Sequence, residues 1–568
     1  LYTPCKLCAG KSPFWQLRAG EIHVDEAAQK ISYDDVTFEF RGVPVAYTPY
    51  FSHPTPDADA KPGFLMPEYS QDSNLGTSVR IPYYYPISPS ADVTLTPFLT
   101  SEEGPVLIAA YRQLFDEGFL EFDGSITYPD KRNDLGQRLE GNEIRGHVYA
   151  RGATVLSQHW QAGFDLQRTT DDTYLRRYDF GAPRSLTSRI FTEGLYGRSY
   201  AIVEGLTFQG LDAADNPDLE PFVIPLARGH YETDPGFLGI GAMRGFSSAN
   251  LQLITRDEGP QTRRLSVENG VKLPLASEGG HLITATLQNR VDLYTAENVT
   301  MQSGSQSDAE EVRMIPTAAV EWRYPLIRHG DNSSLTIEPT VLAVARPGGG
   351  NPDDIVNEDN QIVEFSDANV FSINPFPGLD TVDEGSRIAY GLRSHWWQGK
   401  HHLQALLAQS VSLDDTTPFP YNDEPGEHFS DVVGRVAWSL NPFNLTYRFK
   451  FDQDSLNPNA QNIGLGYRQD SLRLQADYVM FDDDPYLGDR KEILLSGGFN
   501  LTDKWALRAM ARRDLNLDAM VFAGGGITYQ NDCFTLDTAF SRTYVRDRDI
   551  EPDNTISVRV GLKNLTEL

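Results

Sequence analysis

The feature that most constrains this chain is a strict alternation of apolar and polar residues. In the segment 443–452, FNLTYRFKFD, every odd-numbered residue is apolar and every even-numbered residue is polar. A period of two is that of a β-strand with one wet and one apolar face, and about ten residues suffice for a tilted strand to cross a bilayer. Helical periodicity is almost absent. The alternation recurs at 143–155, 189–208, 281–294, 334–345, 471–478, 534–540 and 556–562.

Composition agrees with such strands and argues against other classes. Aromatic residues make up 11% of the chain, yet the mean hydropathy is −0.40, which suits strands with one polar face. The formal net charge of −30 would repel a nucleic-acid backbone, so nucleic-acid binding is not expected. No stretch approaches about 18 consecutive apolar residues, which argues against transmembrane helices but not against a transmembrane barrel.

The spacing of turns and loops predicts the size of the barrel. Short turns alternate with long segments rich in Asn, Asp, Gly and Pro, as in outer-membrane barrels with tight periplasmic turns and long external loops. At about 38 residues per hairpin, the chain from about residue 75 onward has room for about 26 strands. A string of β-sandwich domains would need shorter strands and linkers, and no linker is evident there. The predicted loops are 211–221, 303–311, 347–386 and 413–428.

The first 60 residues differ from the rest. They contain short predicted strands, too short for a bilayer, that suit a soluble sandwich or jellyroll. So few strands hardly form a stable domain alone, so we expect the tail of a larger domain, with the true start removed. We predict residues 1–70 to be the end of a periplasmic β-jellyroll with its linker, and residues 71–568 to be the barrel. The predicted short strands are 15–19, 22–24, 30–33 and 36–40.

A set of motifs, mostly in the first hundred residues, resembles one known family. The segments are 2–5 (YTPC), 15–19, 31–40, 42–54 (GVPVAYTPYFSHP), 63–67 (GFLMP), 81–97 (IPYYYPISPSADVTLTP), 377–380 (PGLD) and 385–391 (GSRIAYG). Together they resemble the LptD family, which assembles lipopolysaccharide (LPS) in the Gram-negative outer membrane. The basic residue that the family pattern leads us to expect after Asp380 is absent, since Thr381 follows.

The resemblance implies a fold, partners and a function. The fold would be all-β: a large closed antiparallel transmembrane barrel of 26 strands, preceded by a periplasmic β-jellyroll. An LptE-type lipoprotein would plug the barrel, and an LptA-type jellyroll protein would bring LPS across the periplasm. The protein would be an outer-membrane translocon that inserts LPS into the outer leaflet through a lateral gate between the first and last strands. No enzymatic activity, cofactor or metal is implied.

Two prolines are candidates for that gate. Pro82 and Pro97 lie fifteen residues apart in what we expect to be the first two barrel strands. Proline has no N–H for a strand ladder, so it weakens a sheet where it occurs. Both positions resemble the lateral-gate prolines of the family. The alternative is that Pro82 merely flanks a turn together with Pro86 and Pro89, for which a role in a turn is expected.

The three cysteines form a second candidate site. Cys533 follows a turn signal and is out of phase with Phe534, which places it in the lumen or at a periplasmic turn near the amino-terminal segment. The family joins these regions through two disulfides, and three cysteines allow one. The resemblance favours Cys5–Cys533, with Cys8 as the alternative partner. A local Cys5–Cys8 bond, strained over so short a loop, stays open.

A third candidate is an apolar path for lipid. A jellyroll that hands over lipid A, as the resemblance implies, needs an apolar interior. The alternative is that the same residues fill an ordinary sandwich core, and the sequence leaves both interpretations open. The residues are Val36, Phe38 and Phe40 on one strand face, followed by Val43, Val45, Tyr47 and Phe51.

Other functions are less compatible with the sequence. A TonB-dependent or porin-like nutrient transporter is the main alternative, but the former needs a plug domain of over about a hundred residues before its barrel, and only about 70 are available. A pilus usher would need a separate carboxy-terminal domain. No nucleophile elbow, phosphate loop or metal-spaced histidine pair points to an enzyme, and one Cys-x-x-Cys does not make a zinc site. Cation binding by the acidic loops stays open.

Overall fold

The computed structural model describes most of the chain. The described residues are 1–5, 12–27, 29–55, 61–133, 135–300, 306–348, 350–352, 354–360, 364–414, 428–482 and 488–562. Cys8 lies outside them, as does most of the predicted loop 413–428.

A small antiparallel sheet forms at the amino terminus. Its strands are β1 (Trp15–Arg18), β2 (Glu21–Asp25), β3 (Lys30–Phe40) and β4 (Val43–Pro54). Strand β3 is central and pairs with β1 and β2 along one edge and with β4 along the other. The two strands predicted at 30–33 and 36–40 are one strand, because Asp34 and Asp35 form an irregularity with a left-handed Asp35 (φ 52°) instead of a turn.

The rest of the chain forms the barrel, whose first strand starts at Gly63. The predicted domain boundary at residues 70 and 71 therefore falls inside strand β6. Up to the middle of the barrel the elements are β5 (Gly63–Phe64), β6 (Glu68–Asp72), β7 (Gly76–Arg80), β8 (Tyr83–Ser88), β9 (Ala91–Thr100), β10 (Gly104–Phe115), β11 (Gly118–Thr127), β12 (Asp130–Arg132), β13 (Arg138–Asn142), β14 (Arg145–Val155), β15 (Trp160–Thr169), α1 (Tyr174–Arg177), β16 (Ser185–Tyr196), β17 (Ser199–Gly210), β18 (Phe222–Glu232), β19 (Arg244–Thr255), β20 (Gln261–Ala276) and β21 (Leu282–Thr300). Short 3₁₀ helices lie at Pro217–Leu219 and Phe237–Gly239.

The second half continues the same up-and-down order to the closing strand. Its strands are β22 (Gln306–Arg323), β23 (Leu326–Gly330), β24 (Ser333–Ala345), β25 (Arg387–Gln398), β26 (His401–Ser412), β27 (Val432–Leu440), β28 (Phe443–Phe451), β29 (Pro458–Gln469), β30 (Leu472–Phe481), β31 (Arg490–Thr502), β32 (Trp505–Asp514), β33 (Ala519–Gln530), β34 (Phe534–Thr543) and β35 (Asp553–Leu562).

Strand β35 pairs with β6 and closes the barrel. Three crossings are interrupted, namely β5 with β6, β7 with β8 and β22 with β23, and β12–β13 is a separate hairpin outside the wall. Counted in this way, the barrel has 26 antiparallel strands, which confirms the predicted fold class and strand number.

The two ends of the barrel differ as predicted. Because neighbouring strands are antiparallel, the turn at Cys533 lies at the end that carries most of the short turns, and the longest connections lie at the other end. The long connections include 128–144, 170–184, 211–221 and 346–386. The predicted loop 303–311 is wrong in part, since β22 begins at Gln306 and extends that hairpin beyond its neighbours.

The wall has an apolar outer face and a polar inner face. Leu99, Leu107, Ile126 and Val148 share one face through their strand registers and are exposed, as lipid-facing residues are in a barrel without its membrane. On the other face, loops fold into the lumen and bury the inward residues. Among the described residues, no helix has the length and apolar character that a membrane crossing requires.

Candidate functional site at the closing strands

The pairing of β35 with β6, here called the seam, is short. It runs only from Glu68 opposite Arg559 to Gln71 opposite Ile556. On the other side of β35, the ladder with β34 covers the full strand, from Phe534 opposite Leu562 to Thr543 opposite Asp553. Since each net ladder bond contributes about 1 kcal/mol, the seam is the weaker of the two edges of β35.

The two faces of the seam carry different chemistry. On the lipid-facing side, Tyr69 lies opposite Val558 across the seam and opposite Val79 on β7. On the lumenal side, the carboxylate of Glu68 lies 3.2 Å from Arg559 of the last strand and 3.9 Å from Arg80 of β7. Glu68 therefore connects the last strand to the first two crossings through charge, in addition to the ladder. This residue was not singled out in the sequence, since its partner is at the other end of the chain.

Both candidate prolines lie beside the seam in one interrupted ladder. Strands β7 and β8 keep the same register against β9, with Arg80 opposite Phe98 and Tyr83 opposite Leu95, but pairing stops between them. The Ile81 N–H still donates to the Pro97 carbonyl over 3.1 Å. Pro97 has no N–H to return to the Ile81 carbonyl, and Pro82, whose carbonyl accepts from the Leu65 N–H over 2.9 Å, has no N–H for the first crossing on its other side.

The position of this gap corrects the expected strand order. Pro82 lies in the second crossing and Pro97 in the third, not in the first two, because the segment from Gly63 to Asp72 forms an additional first strand. The expected role of Pro86 as a turn residue is also wrong: Pro86 lies in β8 opposite Asp92, whereas Pro89 is in the turn.

A second gap of the same design occurs far from the seam. Strands β22 and β23 keep one register against β24, and pairing stops at Tyr324 and Pro325. There the Tyr324 N–H donates to the Pro339 carbonyl over 3.1 Å. A pair of prolines alone therefore does not identify a seam, and the short β35–β6 ladder is what distinguishes the first gap.

The amino-terminal sheet is fixed to the last hairpins of the barrel. A disulfide joins Cys5 to Cys533, with the sulfurs 2.00 Å apart, so Cys5 is not bonded to Cys8. The indole Nε1–H of Trp15, a fully buried side chain, donates to the Cys533 carbonyl over 2.8 Å. Phe14 packs on Tyr529 and Phe534, with ring centroids 5.5 and 4.8 Å apart.

These contacts place the sheet next to the seam. The apolar cluster around the disulfide also includes Val560 and Leu562, which are at the end of the last strand. The sequence predicts Trp15 only as part of a strand, since nothing near Trp15 indicates a partner more than 500 residues away.

The seven residues of the predicted lipid path divide into two groups. Four pack in the cluster at the barrel end, with Val36 1% exposed and the others half-buried. Three lie near the free edge of the sheet and are 62%, 57% and 64% exposed. Three of the cluster residues lie on the central strand β3, whereas all three exposed residues lie on the edge strand β4. The first group is Val36, Phe38, Phe40 and Phe51, and the second is Val43, Val45 and Tyr47.

Asp380 contacts a basic residue that is close in the folded structure but distant in the sequence. Arg264 of β20 donates to Asp359 over 2.9 Å and also binds Asp380. Asp359 in turn accepts the N–H groups of Leu379 and Asp380, which ties two parts of the 346–386 loop together. Arg264 thus replaces the cation that was expected directly after Asp380.

A small cluster on the amino-terminal sheet has the donor types of a metal site. Glu21, His23 and Asp34 each place one possible ligand atom within 4.8 Å of the others. All three lie at the protein surface, where charged groups meet commonly without a metal, so the cluster carries no functional conclusion.

The connection between β15 and β16 depends on an acidic anchor, Asp171. Burial acts to raise the pKa of Asp171, but the paired hydrogen bonds from Arg145, 2.9 and 2.6 Å long, hold this pKa below its ordinary value. The carboxylate also accepts the N–H groups of Thr173 and Tyr174 at the start of α1. A lowered pKa means that the folded state is stabilised above the ordinary aspartate pKa of about 4, and that this contribution is lost as pH falls through the lower folded value.

We therefore expect acid to loosen this connection. The protection of the amides at 174–180 against hydrogen exchange, taken relative to the intrinsic rate at each pH, should be high at neutral pH and should fall as the pH falls below about 4. The Asp171→Asn variant should exchange fast already at pH 7 and respond little to acid. Equal exchange in the two proteins at pH 7 would contradict this role of Asp171.

The fold and the seam together define a class of protein. A closed barrel of 26 strands with an apolar outer face is a transmembrane β-barrel of the outer membrane. Residues 143–505 match the family model of LptD, LPS transport system D. This match covers well over half of the chain, so the chain belongs to the LptD family. It acts in LPS transport at the outer membrane, which confirms the resemblance noted in the sequence.

Relatives cover almost the whole chain. The LPS-assembly protein LptD of Thiobacillus denitrificans is 24% identical over 574 residues, 96% of this chain and 73% of the relative. LptD of Idiomarina loihiensis is 25% identical over 570 residues, 96% of this chain and 71% of the relative. LptD of Vibrio cholerae is 23% identical over 600 residues, 98% of this chain and 74% of the relative.

Solved structures with some likeness include two receptors. The siderophore receptor PiuA from Acinetobacter baumannii has a TM-score of 0.31 and 10% identity, with 93% of this chain and 85% of the receptor covered. The alcaligin receptor FauA from Bordetella pertussis has a TM-score of 0.32 and 9% identity, with 94% and 82% covered. Likeness at this level carries no argument about function.

Proposed function

We propose that this protein delivers LPS to the outer leaflet sideways, through the seam between β35 and β6. The observation that carries the proposal is the short seam, with four residue pairs, next to the full ladder on the other side of β35. Opening the barrel at a full ladder would leave many more backbone groups unpaired in lipid, which costs several kcal/mol per group. Between β6 and β35 themselves, a short ladder and the Glu68–Arg559 ion pair must be broken.

The amino-terminal sheet supports this route by its position. We take it as the end of a periplasmic β-jellyroll, held by the disulfide and Trp15 at the barrel end that borders the seam. Lipid that travels along this domain would then reach the barrel close to the exit. The exposed Val43, Val45 and Tyr47 are the part of the predicted path that remains open to an acyl chain, while the buried group holds the domain in place.

Two partners belong to the proposal on the strength of the family. An LptE-type lipoprotein would occupy the barrel as a plug, and an LptA-type jellyroll protein would pass LPS to the amino-terminal domain. The wide lumen of a 26-strand barrel is consistent with a plug.

Restoring the ladder at the proline gap should restrict the seam. In the double variant Pro82→Thr with Pro97→Val, one N–H donor returns on the side of the first crossing and one returns opposite the Ile81 carbonyl. The expected gain is about 1–2 kcal/mol, which reduces the open population roughly five- to thirty-fold. The barrel should become more heat-stable and should deliver less LPS to the surface, measured as LPS accessible at the outer leaflet with heat stability recorded in parallel.

The second proline gap supplies a matched control. The variant Pro325→Thr with Pro339→Val restores the same two donors far from the seam, so it should gain similar stability with normal LPS delivery. Equal loss of delivery in both variants would show that general stiffening, and not the seam, limits transport.

A further inference from the structure

The last external loop of the barrel reaches across the seam and binds a loop on the other side. Residues 544–552 connect β34 to β35, and residues 170–184 connect β15 to β16. Arg177 donates to the carbonyl of Asp549 over 2.8 Å, and its guanidinium lies 3.2 Å from the Asp549 carboxylate. Both side chains are buried, and Arg145 lies 3.6 Å from the same carboxylate.

Further ion pairs join the same two loops. Arg548 lies 2.9 Å from Asp172, and Arg176 pairs with Asp547. The Leu211 carbonyl accepts from Arg548 over 2.6 Å and from Arg176 over 2.5 Å, so arginines from both sides of the seam meet at one oxygen.

Near the external end of the seam, backbone groups are bridged as well. The N–H of Ser73, in the turn after β6, donates to the Asp553 carboxylate over 2.7 Å. The N–H of Glu551 donates to the Asn74 side-chain oxygen over 3.3 Å. These contacts continue the line of the seam beyond the point where its ladder ends.

The inner partner of this contact is firmly held by the wall. Tyr174, Leu175 and Tyr178 are almost fully buried against Phe98 and other inward residues of neighbouring strands. Arg177 also lies 2.8 Å from the buried Glu103, in the turn between β9 and β10. The loop 544–552 therefore binds to a rigid surface that belongs to the opposite side of the seam.

We propose that this set of contacts is a latch, with Arg177 as its positioning residue, and that loop 544–552 must leave it before the seam can open. The inference rests on the proposed lateral route. Strand β35 cannot move away from β6 while the loop that leads into β35 stays bound to strands on the far side of β6. Opening must therefore break these buried contacts as well as the short ladder, so the latch adds to what holds the seam closed.

The test measures opening of the seam directly in the full-length purified protein in lipid nanodiscs. Hydrogen exchange of the seam amides at 68–71 and 556–559 should be at least about tenfold faster in Arg177→Gln than in the natural sequence. Arg177→Lys, which keeps the charge, should recover part of the protection. Exchange within β28 and β29, on another part of the wall, should not change.

Two further variants separate the latch from a general loss of structure. Arg387→Gln removes an equally buried arginine that binds Asp383 away from the seam, and it should leave seam exchange unchanged. If Arg177→Gln also speeds hydrogen exchange of the amides at 174–180, the test uses Asp549→Asn instead. Asp549 lies on loop 544–552, so this change leaves the contact between Arg177 and Glu103 in place. Asp172→Arg or Arg548→Asp alone should make the seam amides exchange fast. The double variant Asp172→Arg with Arg548→Asp reverses the ion pair and should restore slow exchange.

The outcomes distinguish the latch from the route. Unchanged seam exchange in both Arg177→Gln and Asp549→Asn would overturn the latch, even if LPS leaves through the seam. Fast seam exchange in these variants supports the latch even if a crosslinked seam still passes LPS, a result that would remove the lateral route alone.

Discussion

A disulfide placed across the seam is expected to stop LPS delivery. Tyr69 and Val558 lie directly opposite each other on β6 and β35, and opposite residues of an antiparallel pair have Cα atoms about 4.5–5.5 Å apart. This distance suits a disulfide, so Tyr69→Cys with Val558→Cys should crosslink. LPS at the outer leaflet should fall to the fraction of protein left uncrosslinked, and a reducing agent should restore it.

The control is the same change in a continuous part of the wall. Tyr447 and Ile463 are opposite residues on β28 and β29, so Tyr447→Cys with Ile463→Cys should crosslink equally well and leave transport intact. Normal delivery through a fully crosslinked seam would rule out lateral exit there. A pair at Val79 and Val558 is not suitable, because β6 lies between these residues and Tyr69 pairs with both.

Loss of Cys533 is the second change with a large expected effect. The Cys5–Cys533 bond spans 528 positions, and a cross-link over so long a segment contributes on the order of 5 kcal/mol at most. Cys533→Ser should abolish the oxidised form seen as altered mobility on non-reducing electrophoresis. It should also make the amino-terminal sheet far more sensitive to protease than the barrel, although Trp15 and the aromatic contacts remain.

The other cysteines give the matching controls. Cys5→Ser should behave like Cys533→Ser, whereas Cys8→Ser should keep the oxidised form. An altered mobility that survives Cys533→Ser would mean that another pairing, such as Cys5 with Cys8, forms in solution.

The barrel was predictable because each of its strands is indicated by a pattern of neighbouring residues in the sequence. Each strand shows its two faces through alternation, as in 443–452, and a hairpin has a nearly constant length, so the strand number followed from the chain length. The first crossing was missed because β5 and β6 are short and interrupted, with too few residues to show a period. Because this additional strand lies between β35 and β7, both prolines are farther from the seam than expected. For the same reason, Val79 lies opposite Tyr69 and not opposite Val558.

The contacts at the site were less predictable because their partners are distant in the chain. Glu68 meets Arg559 and Arg177 meets Asp549 only after the barrel has closed, and nothing near these residues indicates a partner. The disulfide pairing came from a resemblance to known proteins. For the lipid path, the alternation of Val36, Phe38 and Phe40 holds, but the sequence does not show that β4 is an edge strand on which residues 43–47 stay exposed.

The link between Cys5 and Cys533 also has a consequence for the order of assembly. Ribosomes make residue 5 long before residue 533, and a membrane barrel has no place for Cys533 until its last hairpins are present. The Cys5–Cys533 bond can therefore form in its native surroundings only late, after almost all of the wall has been synthesised. Oxidation of this pair would then mark the completion of the barrel, and a chain that stalls before its last hairpin would have Cys5 without its native partner.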